Sequence, residues 1–240
     1  MEAQISAADY DHMIQYASHP TETDEAVAGL VALVERGSRV LELGLGTGRL
    51  AIPLAAENFE VHGVELDPAM VEQLRQKPGG DRVQVHVGDM SQPVGAGNFA
   101  LIFVAFGTLF ALSSQEDQVR CFQSVASQLV DGGHFVVEAL VPQPGTYTNG
   151  RKVTVAEVDE DIVILNVGSL DPVQQTLTSQ QVVLSRGDVR LFPNRIRYAW
   201  PAELDLMARL AGMRLEARWS DWQRSPFGER SPRHISVYER

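Results

Sequence analysis

Hydrophobic and polar residues follow two different arrangements along the chain, and the arrangement changes near Pro142. Before this residue, short apolar runs alternate with segments in which apolar residues recur every three or four positions. Apolar runs predict strands that are buried on both faces, and the longer period predicts amphipathic helices. This alternation predicts an α/β fold with a doubly wound, mostly parallel sheet and helices on both of its faces.

The predicted elements before Pro142 begin with an amphipathic helix over residues 22–36. A first strand, a glycine-rich turn and a second helix follow. The remaining predicted elements are strands over 60–64, 83–87, 99–104 and 134–140, a helix that follows the second strand and runs through Gln76, and a helix over 115–129.

After Pro142 the pattern becomes β-rich. Turn-like segments rich in Asp, Gly and Pro separate runs over 153–158, 162–167, 176–184 and 189–199. These runs predict an antiparallel sheet inserted after the fifth parallel strand. A helix from Pro201 to Gly212 and strands over 214–219 and 234–239 then return the chain to the first sheet.

The turn after the first strand contains three glycines at alternate positions, Gly44, Gly46 and Gly48, and a helical pattern follows at once. Glycine lets a ligand approach the backbone, and a helix N-terminus presents unpaired N–H groups. A dinucleotide fingerprint would place its third glycine where Arg49 stands, and the Gly-Lys-Ser/Thr ending of a P-loop is absent. Neither kind of pyrophosphate site therefore fits this turn.

The residues at two further strand ends narrow the choice of ligand. The second strand ends in Glu65, and an acid at this place suits hydrogen bonding to ribose hydroxyls. The third strand ends in Gly88, Asp89 and Met90, which combine an acid with a flexible apolar side chain. Together these residues describe an adenosine pocket without a phosphate site.

With Glu42 heading the glycine turn, these motifs resemble those of class I S-adenosylmethionine-dependent methyltransferases from about Val40 to Glu138. The resemblance implies a Rossmann-like fold, S-adenosyl-L-methionine as cofactor and methyl transfer as activity. The order of elements is most similar to the small-molecule, natural-product subgroup, in particular amino-sugar N-methyltransferases, and more distantly to glycine N-methyltransferase. It implies an N-terminal helical lid and cofactor-binding core over 1–141, an acceptor cover over 142–200 and closing elements of the core over 201–240.

The resemblance also implies a role for each motif residue. The glycine turn would hold the methionine part of the cofactor, Glu65 the ribose diol, Leu66 the adenine and Asp89 its amino group. The Ala105 carbonyl and Phe106 would border the sulfonium. The complete cofactor-binding set is Glu42, Gly44, Gly46, Gly48, Glu65, Leu66, Asp89, Met90, Ala105 and Phe106.

Methyl transfer from a sulfonium needs a general base only if the acceptor must lose a proton. Glu138 is the first candidate for such a base or for a substrate anchor, because an acid at an apolar strand end is costly unless it is paired or used. Tyr10 and His12 in the N-terminal segment are further candidates. The inserted segment offers four residues that would cover the pocket: Tyr147, Phe192, Arg195 and Tyr198.

Composition limits the partners. A formal net charge of -11 disfavours nucleic acid and anionic membranes, so we expect a small-molecule acceptor. The single cysteine, Cys121, lies in a helical pattern, which predicts a buried structural thiol. No metal-ligand spacing and no secretory segment is present, and the apolar stretch Phe99–Leu112 is too short to span a bilayer. We therefore expect a cytoplasmic enzyme, with a homodimer as a candidate assembly.

The sequence leaves alternatives for the acceptor atom and for the class of protein. Nitrogen is the favoured acceptor atom by resemblance, with an electron-rich, indole-like ring carbon or a hydroxyl oxygen as alternatives. An NAD-dependent oxidoreductase is a competing class, although Arg49 at the third-glycine position counts against it. The second competing class is a non-catalytic sensor of adenosyl ligands on the same fold.

Overall fold

The computed structural model describes residues 20–95 and 97–240, so Tyr10 and His12 lie outside the described residues. The helices are α1 (Pro20–Val31), α2 (Ala51–Ala56), α3 (Pro68–Gln76), α4 (Gln115–Gln128) and α5 (Pro201–Leu210). The first five strands are β1 (Arg39–Leu43), β2 (Glu60–Glu65), β3 (Gln84–Val87), β4 (Phe99–Val104) and β5 (Leu129–Leu140). The others are β6 (Arg151–Val158), β7 (Ile162–Asp171), β8 (Thr176–Ser185), β9 (Asp188–Arg197), β10 (Arg214–Trp219) and β11 (Arg233–Glu239).

The central sheet has seven strands in the order β10-β11-β5-β4-β1-β2-β3. The strands from β5 to β3 are parallel, whereas β11 pairs antiparallel with both β5 and β10. Strand order reverses at β1, which pairs with β2 on one side and β4 on the other. In open α/β sheets ligands bind outside the carboxyl ends of the strands at such a point. The predicted fold class is confirmed.

Each face of the central sheet carries an apolar core, since successive side chains of a strand point to opposite faces. Leu41 and Ile102 belong to the core that α4 and α5 cover, and Val40 and Leu101 belong to the core on the side of α1 and α2. All four side chains are buried. The strands read as continuous apolar runs because both of their faces are covered.

Strands β6 to β9 form a separate four-stranded antiparallel sheet in chain order. A buried polar cluster ties its last strand to the core: the Arg197 guanidinium pairs with Glu203 of α5 at 2.6 Å and donates to the Gln118 side chain of α4 at 2.5 Å. These contacts fix the inserted sheet above the carboxyl ends of the parallel strands.

Two predicted boundaries differ from the structure. The first helix ends at Val31 rather than at residue 36, because the chain turns towards β1 at Gly37, whose φ is +87°. Strand β5 begins at Leu129 rather than His134, since the chain stays paired with β4 across a register irregularity. Within the described ranges, no helix has the length and apolar content required to cross a bilayer.

Candidate functional site

A cavity of about 750 Å³ lies between the carboxyl ends of the parallel strands and the inserted sheet. The core contributes the part that we call the floor, and the inserted sheet contributes the part that we call the roof. The floor includes seven of the predicted cofactor-binding residues: Gly44, Gly46, Glu65, Leu66, Asp89, Met90 and Phe106. Glu42, Gly48 and Ala105 do not line the cavity.

The glycine turn owes its shape to positive φ angles, which are +69° at Gly44, +55° at Gly46 and +84° at Gly48. A Cβ on Gly44 would lie 2.2 Å from Thr108 Cγ2, and a Cβ on Gly48 would lie 2.8 Å from Leu74 Cδ1. Contacts within the protein therefore exclude a side chain at Gly44 and at Gly48. Gly48 allows close packing against α3 rather than the approach of a ligand to the cavity.

Glu65 holds the floor together. Its Oε2 accepts the Gly46 N–H at 2.7 Å, and its Oε1 accepts the Asp67 N–H at 2.9 Å. A carboxylate oxygen has a second acceptor site, so both oxygens retain capacity for ligand hydroxyls. Next to it, the Leu66 side chain lines the cavity while 67% exposed, which leaves an apolar surface available for a planar ring.

Glu42 is buried in β1 and does not line the cavity. Burial raises the pKa of this carboxyl to about 8, and the nearby Arg49 charge and a hydrogen bond from the Ala51 amide only partly oppose the rise. Its Oε2 is buried and has no hydrogen-bond partner among the described residues. Such an oxygen fits a cationic or hydrogen-donating group of a ligand.

The loop after β4 forms one wall of the cavity. Phe106 and Gly107 both have left-handed backbone angles, with φ of +56° and +73°. The Phe106 ring is 42% exposed and faces the cavity, and the Arg49 guanidinium lies 5.4 Å from the ring centroid. The carbonyl of Ala105, which was expected to border the sulfonium, accepts the Thr108 N–H at 3.1 Å.

Glu138 lies behind this loop rather than on the cavity surface. Its Oε2 accepts the Phe106 N–H at 3.0 Å, and its backbone carbonyl accepts the Gly107 N–H at 3.0 Å. Its Oε1 accepts from Trp222 Nε1 at 3.2 Å and pairs with Arg233 at 3.4 Å. Through these bonds Glu138 anchors the Phe106–Gly107 loop; its role as a general base or a substrate anchor remains a prediction. The partners Trp222 and Arg233 were not predicted.

The roof is formed by residues of β7, β8 and β9. Of the four residues expected there, Phe192 lines the cavity, whereas Tyr147, Arg195 and Tyr198 do not. Tyr198 is 1% exposed and packs in the core. The roof also contains polar residues that sequence reasoning missed: Asn166, Ser179, Gln181 and Asn194. Period-two alternation in these strands was the signal that could have identified them.

Cavity chemistry is acidic and free of basic side chains. The described lining includes Glu65, Asp67, Asp89 and Asp117 but no Lys, Arg or His. Within the same residues, no group of three metal-ligating side chains comes together. The acidic lining therefore suits a polar, positively charged ligand.

Comparison with known proteins decides the family. A protein-family model described as a methyltransferase domain matches residues 40–133. The solved structure of the CcbJ methyltransferase from Streptomyces caelestis is 40% identical with a TM-score of 0.91, and the match covers 98% of this chain and 96% of that chain. The chain belongs to the S-adenosylmethionine-dependent methyltransferases.

Two more distant relatives resemble this methyltransferase over most of its length. Cypemycin N-terminal methyltransferase from a Streptomyces species is 26% identical over 220 residues, 89% of each chain. CalS10 from Micromonospora echinaspora, an amino pentose methyltransferase involved in calicheamicin biosynthesis, shares the fold with a TM-score of 0.72 and 20% identity, and the match covers 96% of each chain. The predicted family, enzyme class and cofactor are confirmed.

The floor of this methyltransferase fits S-adenosylmethionine. The Glu65 carboxylate has acceptor capacity for hydroxyl groups, and the exposed Leu66 offers an apolar surface beside it. Asp89 lines the same cavity, and its Oδ1 accepts the Ser91 N–H at 2.8 Å, which fixes the carboxylate. The contact that each residue makes with the cofactor remains a prediction.

Proposed function

We propose that this methyltransferase N-methylates a small, basic natural-product acceptor, such as an amino sugar, by direct in-line displacement. The observation that carries the proposal is the cavity lining of four acidic side chains without a basic one. A negative surface of this kind attracts both a cationic sulfonium cofactor and an ammonium acceptor, and it disfavours phosphorylated or carboxylated acceptors. The relatives named for N-terminal and amino pentose methylation support the same acceptor atom.

The roof supports a polar acceptor. The side chains of Asn166, Gln181 and Asn194 line the cavity and make no hydrogen bond with other described residues, so their amides are available for acceptor hydroxyls. Phe192 adds an apolar surface in the same strands. Amides beside an aromatic ring suit a hydroxylated ring better than a flat, uncharged aromatic acceptor.

S-adenosylmethionine supplies an already activated methyl group, so the protein has to orient the acceptor rather than activate the donor. Orientation of two reactants is worth roughly 7–11 kcal/mol in favourable cases. The floor and the roof enclose one continuous space, in which an acceptor held by the roof amides faces the wall formed by Phe106. Glu138 acts here as a positioning residue, because it holds the N–H groups of Phe106 and Gly107.

An amine attacks only in its neutral form, and its proton must leave before transfer. No histidine lines the cavity within the described part of the chain. We therefore expect an acceptor amine to lose its proton to solvent or to a carboxylate at the cavity, such as Asp117. The proposed roles of Tyr10 and His12 in this step remain open predictions.

A panel of acceptors tests the proposal. The purified enzyme with S-adenosylmethionine is offered amino sugars, simple amines, phenols and indoles, and products are identified by mass spectrometry and NMR. We expect methylated nitrogen in amino sugars or related hydroxylated amines. Turnover confined to phenols would assign O-methylation, and turnover confined to indoles would assign C-methylation. Turnover on none of these acceptors would contradict the proposed acceptor class.

A further inference from the structure

The first turn of helix α1 contacts two arginines that lie far from it in the sequence. Glu22 pairs with Arg233 of β11 at 3.4 Å. The hydroxyl of the next residue, Thr23, accepts a hydrogen bond from Arg49, which follows the glycine turn, at 3.3 Å. Neither Glu22 nor Thr23 lines the cavity, but both arginines lead from them to the cavity wall.

The contact with Arg233 leads to the backbone of Phe106. The Arg233 Nη1 atom that pairs with Glu22 also lies 3.4 Å from Glu138 Oε1. The other oxygen of Glu138 accepts the Phe106 N–H at 3.0 Å. Glu138 is buried, and a buried carboxylate is costly without a paired cation. The Arg233 charge therefore supports the carboxylate that holds the Phe106 N–H.

The contact with Arg49 leads to the ring of Phe106. The Arg49 guanidinium lies 5.4 Å from the centroid of this ring, which is within the range of a cation–π interaction. A long arginine side chain loses rotamer freedom when it is held in one place, and the hydrogen bond to Thr23 offsets part of that cost. The first turn of α1 therefore reaches both the backbone and the ring of Phe106, each through one arginine.

Packing holds α1 close to Glu138. Gly29 of the helix lies against Trp222, since a Cβ on this glycine would be 2.7 Å from Trp222 Cε3. Trp222 Nε1 in turn donates to Glu138 at 3.2 Å. The side chain of Gln223 donates to Glu25 of α1 at 2.8 Å. The helix and the Glu138 carboxylate thus share Trp222 as a neighbour, so the position of one constrains the other.

The backbone at Phe106 needs such support. Its φ of +56° lies in the left-handed region, which is unfavourable for a residue with a side chain. A backbone of this kind persists only where the surrounding contacts hold it. The Phe106 ring forms part of the cavity surface, so a shift of its backbone would move that surface. A misplacement near 1 Å can lower an enzymatic rate on the order of a hundredfold.

We infer that Glu22 and Thr23 are positioning residues for methyl transfer. Through Arg233 and Arg49 they brace Phe106 at the cavity wall, although α1 itself lies outside the cavity lining. The inference rests on the part of the proposed function that places methyl transfer beside Phe106, and it holds for a nitrogen, oxygen or carbon acceptor alike.

Hydrogen–deuterium exchange at the Phe106 and Gly107 amides tests the inference on the full-length protein without any acceptor. The double variant Glu22→Ala/Thr23→Val removes both contacts of α1 with the arginines. We expect these two amides to exchange about tenfold faster than in the wild type, the scale of one lost hydrogen bond to a charged group. The matched control is Asp24→Ala, which removes a charge from the exposed next residue and should leave both rates unchanged. Wild-type exchange rates in the double variant overturn the inference.

Substitutions at Arg233 cover the case in which the double variant loosens α1 as a whole. Arg233→Gln should accelerate exchange at Phe106 about tenfold, whereas Arg233→Lys retains the charge and should restore most of the protection. Adding Glu22→Ala to Arg233→Gln should give no further acceleration, since the contact of Glu22 with Glu138 passes through Arg233. Effects of the two substitutions that multiply would contradict the inference, as would equal acceleration by lysine and glutamine.

Steady-state kinetics provide a readout that a purely structural role of α1 would not change. With the acceptor that the enzyme turns over fastest, kcat of Glu22→Ala/Thr23→Val should fall about tenfold, while calorimetric affinity for S-adenosylmethionine stays constant. A parallel loss of cofactor affinity and turnover would contradict the inference, because α1 would then serve cofactor binding. An enzyme that turns over no acceptor fails the proposed function alone, and the exchange rates at Phe106 and Gly107 still decide the present inference.

Discussion

The floor and the roof of the cavity are built by different means. In the floor, shape comes from the backbone: positive φ angles in the glycine turn and N–H groups that Glu65 and Glu138 accept. In the roof, regular strands only present side chains, and the lining amides of Asn166, Gln181 and Asn194 bond to no other described residue. The floor is thus specified for one constant ligand, while the roof can change its specificity by substitution without any change of fold.

The largest expected effect is in the glycine turn. Gly44→Ala adds a Cβ at a φ of +69° and 2.2 Å from Thr108 Cγ2, so both backbone strain and a clash oppose it. We expect the free energy of unfolding to fall by about 2–4 kcal/mol, with loss of cofactor binding. The control is Gly187→Ala in the β8–β9 turn, where φ is +83° but nothing lies within 4 Å of the new Cβ; strain alone should cost about 1 kcal/mol. Equal losses in urea denaturation would show that the clash is irrelevant.

The second test concerns the carboxylate of the floor. Glu65→Ala should weaken cofactor binding by about 1–3 kcal/mol, because it removes hydrogen bonds to a charged acceptor and frees the Gly46 N–H. Glu65→Gln retains one acceptor oxygen, so its cofactor affinity should lie between those of the wild type and Glu65→Ala. Glu72→Ala on the exposed side of α3 is the control and should bind normally. Calorimetric affinities that match the wild type would refute the ribose role.

A substitution at Glu138 tests whether the loop of Phe106 and Gly107 needs the hydrogen bonds that hold it. Glu138→Gln changes the partners of the Phe106 N–H, Trp222 and Arg233, so the loop should shift slightly. We expect turnover to fall about tenfold to a hundredfold, the scale of a misplacement near 1 Å, with little change in cofactor affinity. Steady-state kinetics and calorimetry on the same sample separate the two. Normal turnover would mean that Glu138 has a purely structural role.

A roof substitution should give the opposite pattern to the Glu65 variants, which weaken cofactor binding. Gln181→Ala removes one amide from the lining, and we expect acceptor affinity to drop by about 0.5–1.5 kcal/mol while cofactor affinity stays constant. Gln174→Ala in the β7–β8 turn, outside the cavity, is the matched control. A change in cofactor affinity in the first variant would show that floor and roof do not act separately.

A separate test concerns the pH dependence of stability, to which the buried Glu42 contributes. Its pKa is raised from 4.5 to about 8, so the folded state binds a proton that the unfolded state releases between these values. This group therefore lowers the stability of the cofactor-free protein as pH rises from about 4.5 to 8, and the loss is complete above 8. Glu42→Gln stays neutral, so its stability relative to the wild type should increase over that window. A difference that does not vary between pH 5 and pH 9 would place the pKa in its ordinary range.

Sequence patterns predicted the floor better than the roof for a physical reason. The strand ends and glycines of the floor are local features, and the apolar runs of buried parallel strands are distinctive. By contrast, the Glu138 carboxylate accepts hydrogen bonds from Trp222 and Arg233, which lie more than eighty residues further along the chain. No local sequence pattern contains that pairing. In the roof, a prediction depends on the phase of alternation: Phe192 faces the cavity, but Arg195, three residues further, points to the other side.

The end of the first helix was missed for a related reason. The apolar period continues through residue 34, but the φ of +87° at Gly37 and a hydrogen bond from its N–H to the Asn58 carbonyl turn the chain towards β1. Tertiary contacts therefore ended the helix before its sequence pattern did.

A crystal structure of the enzyme with S-adenosylhomocysteine tests the central claim most directly. The account predicts the ribose hydroxyls within hydrogen-bond distance of Glu65, the adenine against Leu66 and the sulfur beside Phe106, facing the space beneath Gln181 and Phe192. A nucleoside bound elsewhere, or a glycine turn closed by the Arg49 side chain with the cavity empty, would contradict it.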